Sequence, residues 1–326
     1  MTALARTPRK APTSASRISP RPRAVAPDEV VDVTIVLPCY NEVGHVKEEL
    51  VRIAAAMEAT DYTYDLDVYD DGSTDGTRDL LKQLDEQGTY PRMRYFPRAR
   101  NGGSGTIRRI GSQDARGRIV VWTDADMTYP NERIPEFVQM LDDDRSIDQV
   151  VGARTSEEGT YKLLRVPAKW TIRRIASYLT GTKIPDLNSG LRAFRRAVAL
   201  PYLPLLPAGF SCVTTLTVSF LANGHEVKYE PIDYAKRAGK SKFNFVKDAY
   251  LYILQVLRMV MYFNPLKVLM PLALWILALG LLKLGIDVVR LGFRVPGSTV
   301  LVLLTGLQIA ALALLADLIV RSRQNS

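Results

Sequence analysis

Ile119-Val120-Val121-Trp122-Thr123-Asp124-Ala125-Asp126 is a short apolar run that breaks into two carboxylates. β-Branched residues and an indole at consecutive positions predict a strand covered on both faces, with the acids in the loop at its carboxyl end. Alternate side chains of an extended chain point the same way, so Asp124 and Asp126 share a side. The same alternation recurs outward from this stretch. Val31–Leu37 precedes a helical pattern at Val46–Met57, Leu66–Tyr69 precedes Thr77–Leu84, Ile119–Trp122 precedes Ile134–Leu141, and Gln149–Val151 follows. Strands separated by helices predict βαβ units, hence an α/β fold with a mostly parallel sheet and helices on both faces. Ligands of such sheets sit beyond the carboxyl ends of the strands, which directs attention to the loops opening near Pro38, Asp70 and Asp124.

The chain has 326 residues and a net charge of +9, but the excess is concentrated at one end. Arg6, Arg9, Lys10, Arg17, Arg21 and Arg23 occur before the first acid, leaving only +3 for the rest. Residues 1–29, rich in Pro, Ala and Ser, read as a disordered basic tail lying along a membrane surface, in preference to a nucleic-acid arm. This tail lacks the apolar core of a signal peptide, so the domain after it is expected on the cytoplasmic side. Two cysteines, Cys39 and Cys212, exclude a disulfide-stapled scaffold or a cysteine zinc cluster. Two histidines, His45 and His225, argue against histidine-rich metal sites.

Between Arg154 and Lys242 the pattern predicts an amphipathic helix around Tyr161–Leu179, a loop at Asp186–Gly190, a helix near Thr214–Ala222 and a strand at Glu226–Ile232. Phe243–Phe263 then carries a narrow polar stripe, as in a helix lying at a bilayer surface. Val268–Ile286 and Ser298–Val320 are each long enough to cross about 30 Å of hydrocarbon. The resulting organisation is a tail at 1–29, a catalytic domain at 30–242, an interfacial helix at 243–263 and a transmembrane hairpin at 264–326. Lys267, Arg321 and Arg323 favour placing both hairpin ends on the cytoplasmic side, while Lys283 and Asp317 are expected to snorkel rather than pair.

Asp124 and Asp126 offer the hard oxygen ligands that suit Mg²⁺ or Mn²⁺, ions usually completed by substrate phosphates. Asp70-Asp71-Gly72-Ser73 alone is ordinary turn chemistry, and Pro38-Cys39-Tyr40-Asn41-Glu42 ends the first strand. In this order and spacing, the three loops resemble the family 2 glycosyltransferases of the GT-A, Rossmann-like fold. Asn101-Gly102-Gly103-Ser104-Gly105 adds the glycine-rich turn seen there. It is not a dinucleotide fingerprint, because Arg108 stands where the third glycine belongs, and no Gly-Lys-Ser/Thr follows at the spacing of a Walker A loop. Arg154, the turn Asp186–Arg192 and Gly239-Lys240-Ser241-Lys242 look like the subset that loads a sugar onto polyprenyl phosphate, similar to dolichyl-phosphate mannose synthases and bacterial polyprenyl-phosphate glycosyltransferases. Thr128 replaces a frequent Gln of the family, and Lys236 with Arg237 replaces its arginine.

The resemblance implies that Pro38, Tyr40, Glu42, Tyr69 and Asp71, with Asp124, Ala125 and Asp126, bind the nucleotide sugar. It implies a metal at Asp124 and Asp126 with Thr128 as a third contact, and catalytic roles for Asp124, Asp126 and Arg154. Ser189, Arg192, Lys236, Arg237, Lys240 and Lys242 are the residues it points to for the acceptor phosphate. The implied reaction is inverting transfer of one hexose from a GDP- or UDP-sugar to polyprenyl phosphate at the cytoplasmic membrane face. Such an acceptor is already an anion, so a general base contributes little. The implied partners are nucleotide sugar, polyprenyl phosphate and lipid bilayer, with homo-oligomerisation compatible and no nucleic acid. Two other readings are transfer to a lipid-linked saccharide or polymer, and a non-catalytic nucleotide-sugar-binding scaffold for a flippase or partner transferase.

Overall fold

The computed structural model describes residues 30–155, 177–178, 181–209, 211–235, 261–262, 264–292 and 294–324. The basic tail lies outside them, as do all but two residues of the helix expected at 161–179 and of the interfacial helix expected at 243–263. The catalytic part is built on seven strands: β1 (Val33–Cys39), β2 (Tyr64–Asp70), β3 (Met93–Pro97), β4 (Ile119–Trp122), β5 (Ile147–Arg154), β6 (Arg192–Arg195) and β7 (Glu226–Ile232). Their order is β3-β2-β1-β4-β6-β5-β7, with β6 antiparallel to β4 and β5 and the other pairings parallel.

Helices α1 (Val46–Glu58), α2 (Thr77–Gln87) and α4 (Ile134–Asp143) contribute Leu50, Ile53, Met57, Leu81, Phe137 and Leu141 to the apolar layer on one face of the sheet. On the other face, α3 (Ser104–Asp114) and α5 (Cys212–Ala222) set Ile107, Leu216 and Phe220 against Val36, Val120 and Trp122. Each fully buried Leu, Ile or Phe contributes about 1.5–3 kcal/mol, so the two layers together fix the sheet and the ends of its strands.

Strands β1, β2, β4, β5 and β7 and helices α1, α2, α4 and α5 fall where the periodicity places them. By contrast, β3 and β6 carry arginines within the strand, which dilutes the apolar alternation. Arg94 of β3 closes on Asp67 through two hydrogen bonds of 2.6 and 2.5 Å, and Asp65 does the same with Arg116. Burial outweighs these contacts for Asp67 and pushes its carboxyl up to about 6.

The C-terminal region is a hairpin of α6 (Leu266–Leu291) and α7 (Gly297–Gln324). Both helices are long and apolar enough to cross a membrane. They approach closely at two glycines. A Cβ at Gly280 would lie 2.7 Å from the Leu303 side chain, and one at Gly306 would lie 2.7 Å from that of Leu277. Lys283 does not snorkel alone: its ammonium lies 2.7 Å from Asp287 and 2.9 Å from the Thr299 hydroxyl, because a carboxylate one turn along α6 neutralises it locally.

Candidate active site

Parallel pairing brings three loops to one edge of the sheet. Cys39 is in register with Asp70, the Asp71 amide donates to the Cys39 carbonyl at 2.8 Å, and Val36 is in register with Trp122. The loop after β1 turns at Asn41, whose φ of 56° is left-handed. Side chains hold that turn against the neighbouring loop. The Asn41 amide donates to Ser73 Oγ at 3.0 Å, the Thr74 amide to Asn41 Oδ1 at 2.8 Å, and the Glu42 amide to Thr77 Oγ1 at 2.9 Å. Pro38, Tyr40 and Glu42 are half-buried along this rim.

Asp71 is buried, and its carboxylate accepts from Arg98 Nη1 at 2.9 Å and from the amides of Gly102 and Gly103 at 2.9 and 2.8 Å. It therefore anchors the glycine-rich turn. The next amides of that turn are also engaged, since Gly105 donates to the Ala208 carbonyl at 2.8 Å and Thr106 to the same oxygen at 3.3 Å. Glycine is required there by close approach: a Cβ on Gly105 would stand 2.1 Å from the Pro207 carbonyl oxygen. Tyr69, expected beside the donor, is buried away from the loops. Its ring turns into the core beneath α3 and stacks on Phe96 at 4.5 Å, because alternation along β2 sends it to the face opposite Asp70.

Asp124 and Asp126 follow β4 as anticipated, with Ala125 buried between them. Asp124 keeps 30% of its side chain exposed, and its Oδ1 accepts from Arg108 Nη2 at 2.7 Å. Asp126 is 8% exposed and accepts from the Thr128 hydroxyl at 2.5 Å. Left-handed Met127 (φ 62°) makes the bend that returns Thr128 to it. Thr128, expected as a third contact of the metal, thus orients Asp126 through its hydroxyl hydrogen. Among the described residues no cluster of three or more His, Cys, Asp or Glu could hold a metal. Two carboxylates, one partly open, fit a hard cation that takes its remaining ligands from phosphate oxygens and water.

Arg154, at the end of β5, grips Asp186 through Nε at 2.7 Å and Nη2 at 3.0 Å and lies over the Tyr234 ring at 5.2 Å. Burial would raise the Asp186 carboxyl, but Arg154 and backbone amides outweigh it and hold the group below the usual carboxylate range. Tyr234 packs edge-on against Tyr129 at 5.1 Å, and the Tyr129 hydroxyl accepts from the Gly190 amide at 2.7 Å. Ser189 and Arg192, expected at the acceptor phosphate, are both fully buried and not brought to the open edge. The Arg192 guanidinium donates to the Val213 carbonyl at 2.7 Å, to Thr217 Oγ1 at 2.9 Å and to the Ser189 carbonyl, because β6 directs it behind the loop and not into it. Burial and neighbouring Arg108 push it down to about 10. Lys236, Arg237, Lys240 and Lys242 lie outside the described residues, immediately after Ala235, whose amide donates to the Thr128 carbonyl at 3.0 Å.

Arg108, Tyr129 and Tyr234 join the site without having been singled out for it by motif, and Asp186, which opens the turn Asp186–Arg192, had been given no role of its own. Arg108 had one legible signal. It sits in α3 between Gly105 and Gly111, three residues to either side, and such small neighbours on one helix face make room for a long side chain to turn inward.

A seven-stranded, mostly parallel α/β sheet with paired acids at a strand's carboxyl edge is a GT-A arrangement. The chain belongs to glycosyl transferase family 2, which matches over residues 34–201, and residues 264–322 match the GtrB C-terminal hairpin. A dodecaprenyl-phosphate galacturonate synthase of Rhizobium johnstonii is 26% identical over 310 residues, 91% of this chain and 90% of the relative. An undecaprenyl-phosphate 4-deoxy-4-formamido-L-arabinose transferase of Pseudomonas syringae pv. syringae is 30% identical over 211 residues, 61% of either chain. Among solved structures, glucosyl-3-phosphoglycerate synthase of Mycobacterium tuberculosis, crystallised with Mn²⁺, UDP-glucose and phosphoglyceric acid, superposes with a TM-score of 0.56 at 18% identity. That match covers 71% of this chain and 80% of the other, and it carries the fold alone.

Proposed function

We propose that this protein transfers a single hexose, with inversion, from a GDP- or UDP-sugar to a polyprenyl phosphate at the cytoplasmic face of a membrane, in a reaction that depends on Mg²⁺ or Mn²⁺. The observation that carries this reading is the Asp124–Asp126 pair on the loop edge of a family 2 domain that continues into two membrane-length helices. The names of the two relatives support a polyprenyl phosphate acceptor.

In this reading Pro38, Tyr40, Glu42 and Ala125 line the donor, and Asp71 acts through the glycine-rich turn it holds. Asp124 and Asp126 hold the cation, which when bound supplies charge neutralisation for the departing nucleoside diphosphate. Arg154, kept in place by Asp186 and Tyr234, offers a guanidinium beside the reacting groups. Lys236, Arg237, Lys240 and Lys242 receive the acceptor phosphate, whose approach to a second anion requires several cations. The acceptor oxygen attacks the anomeric carbon as the bond to the diphosphate breaks, so no side chain has to remove a proton. Rate arises from positioning and electrostatics. The segment 243–263 seats the site at headgroup depth, and the hairpin holds it there.

The test is transfer by detergent-solubilised protein of label from a panel of UDP- and GDP-sugars to short polyprenyl phosphate, with Mn²⁺ or Mg²⁺ and then with excess EDTA. Organic-phase label from one donor, abolished by EDTA, is expected. Label that persists in EDTA would remove the metal from the mechanism, and its absence with every donor would remove the acceptor.

A further inference from the structure

Arg108 is 2% exposed on its side chain, and no role above uses it. Its Nη2 holds Asp124 Oδ1 at 2.7 Å, its Nη1 lies 3.8 Å from Cys212 Sγ, and its guanidinium stands 5.6 Å from the centre of the Trp122 ring system. Its Nε is buried, with no hydrogen-bond partner among the described residues. A second buried guanidinium, that of Arg192, stands 5.8 Å from the same indole. Among the described residues no carboxylate pairs with Arg192, whose donors go to two carbonyls and a hydroxyl. Asp124 is therefore matched by a buried guanidinium at the inner wall of the site, with a second guanidinium on the same indole. The other Asp124 oxygen, Oδ2, faces Gly190 so closely that a Cβ there would come within 2.6 Å.

Resting on the metal-dependent reading above, we propose that Arg108 is a positioning residue that makes cation binding at Asp124 and Asp126 conditional on the donor's diphosphate. By occupying Oδ1, Arg108 presents Asp124 to a cation through Oδ2 alone. By cancelling charge at the inner wall of the site, it leaves the carboxylate pair too weak to retain a divalent ion unaided. A nucleoside diphosphate brings the missing negative charge and further oxygen ligands, so ion and donor enter together. The buried guanidinium thereby suppresses an ion-loaded, donor-free state.

Protein-bound Mn²⁺ is counted by electron paramagnetic resonance on the full chain in detergent, with and without UDP or GDP, with Asp126→Asn as the blank for chelation in solution. The wild type is expected to bind Mn²⁺ at least about tenfold more tightly with the matching diphosphate present. Arg108→Gln should bind Mn²⁺ without nucleotide about tenfold more tightly than the wild type, shrinking that difference, while Arg108→Lys, which keeps the charge, should retain it. Equal wild-type affinity with and without diphosphate overturns the proposal, and that arm decides it even where Arg108→Gln does not fold. A folded Arg108→Gln with unchanged donor-free affinity overturns it too. If nucleotide binds but no sample holds Mn²⁺, the metal-dependent reading itself fails, which is a distinct result.

Discussion

At the scale of single residues, the two acids after β4 differ in what their loss exposes. Asp126 accepts from the Thr128 hydroxyl, and Asp124 neutralises a buried guanidinium. Asp126→Asn keeps the side chain's size and its acceptor oxygen for Thr128, and is expected to lower transfer about 10²-fold or more while shifting the melting curve little. Asp124→Ala is expected to lose activity and also about 2 kcal/mol of stability, because it strands Arg108 while partial exposure of Asp124 softens the loss. Activity and thermal unfolding of both variants check the contrast. Asp186 adds a pH signature. Its folded-state carboxyl is depressed below the ordinary value of 3.8, so its contribution is fully present above that value and is lost as pH falls through the folded value. Between pH 5 and 3 the wild type should lose melting temperature more steeply than Asp186→Asn, which begins less stable and lacks this component.

Elements were legible in the sequence where one physical signal dominated. Strand β4 is apolar at every position and its boundaries follow, while α1 repeats Val46, Leu50, Ile53 and Met57 at helical spacing. Strands β3 and β6 were hidden because Arg94, Arg192 and Arg195 occupy strand positions, each stabilised by a partner distant in sequence. The same cause hid part of the site: motifs located Asp124 and Asp126, whereas the burial of Tyr69, Ser189 and Arg192 depends on which face of β2 or β6 a residue takes. Helix α3 was marked by its glycines, whose meaning appears only in contact with residues 207–209. Gly105→Ala should cost about 2 kcal/mol by overpacking against two carbonyl oxygens. Gly44→Ala, with nothing within 4 Å of its Cβ, should stay within about 0.5 kcal/mol of the wild type. Denaturant unfolding of the two variants, side by side, tests whether the glycine-rich turn is a packing device.

For the whole molecule, the hairpin sets the geometry that the proposed reaction needs, because a polyprenyl chain stays in the membrane and only its phosphate can reach the loops at the sheet edge. Two antiparallel helices close enough to interlock at Gly280 and Gly306 return the chain to the side from which it entered. The connector between α6 and α7 should then lie across the bilayer from the catalytic domain. Both native cysteines are buried, so a new thiol can be labelled against a quiet background. Ser298→Cys, at the exposed start of α7, should react with a membrane-impermeant maleimide in intact cells. Ser322→Cys, at the exposed far end of the same helix, should react only after permeabilisation. Labelling of both from outside would mean that α6 and α7 do not cross, and the site would then reach its lipid through the interfacial segment alone. The reverse pattern, with Ser322 labelled from outside and Ser298 protected, would place the catalytic domain on the opposite face and separate it from a cytoplasmic supply of nucleotide sugar.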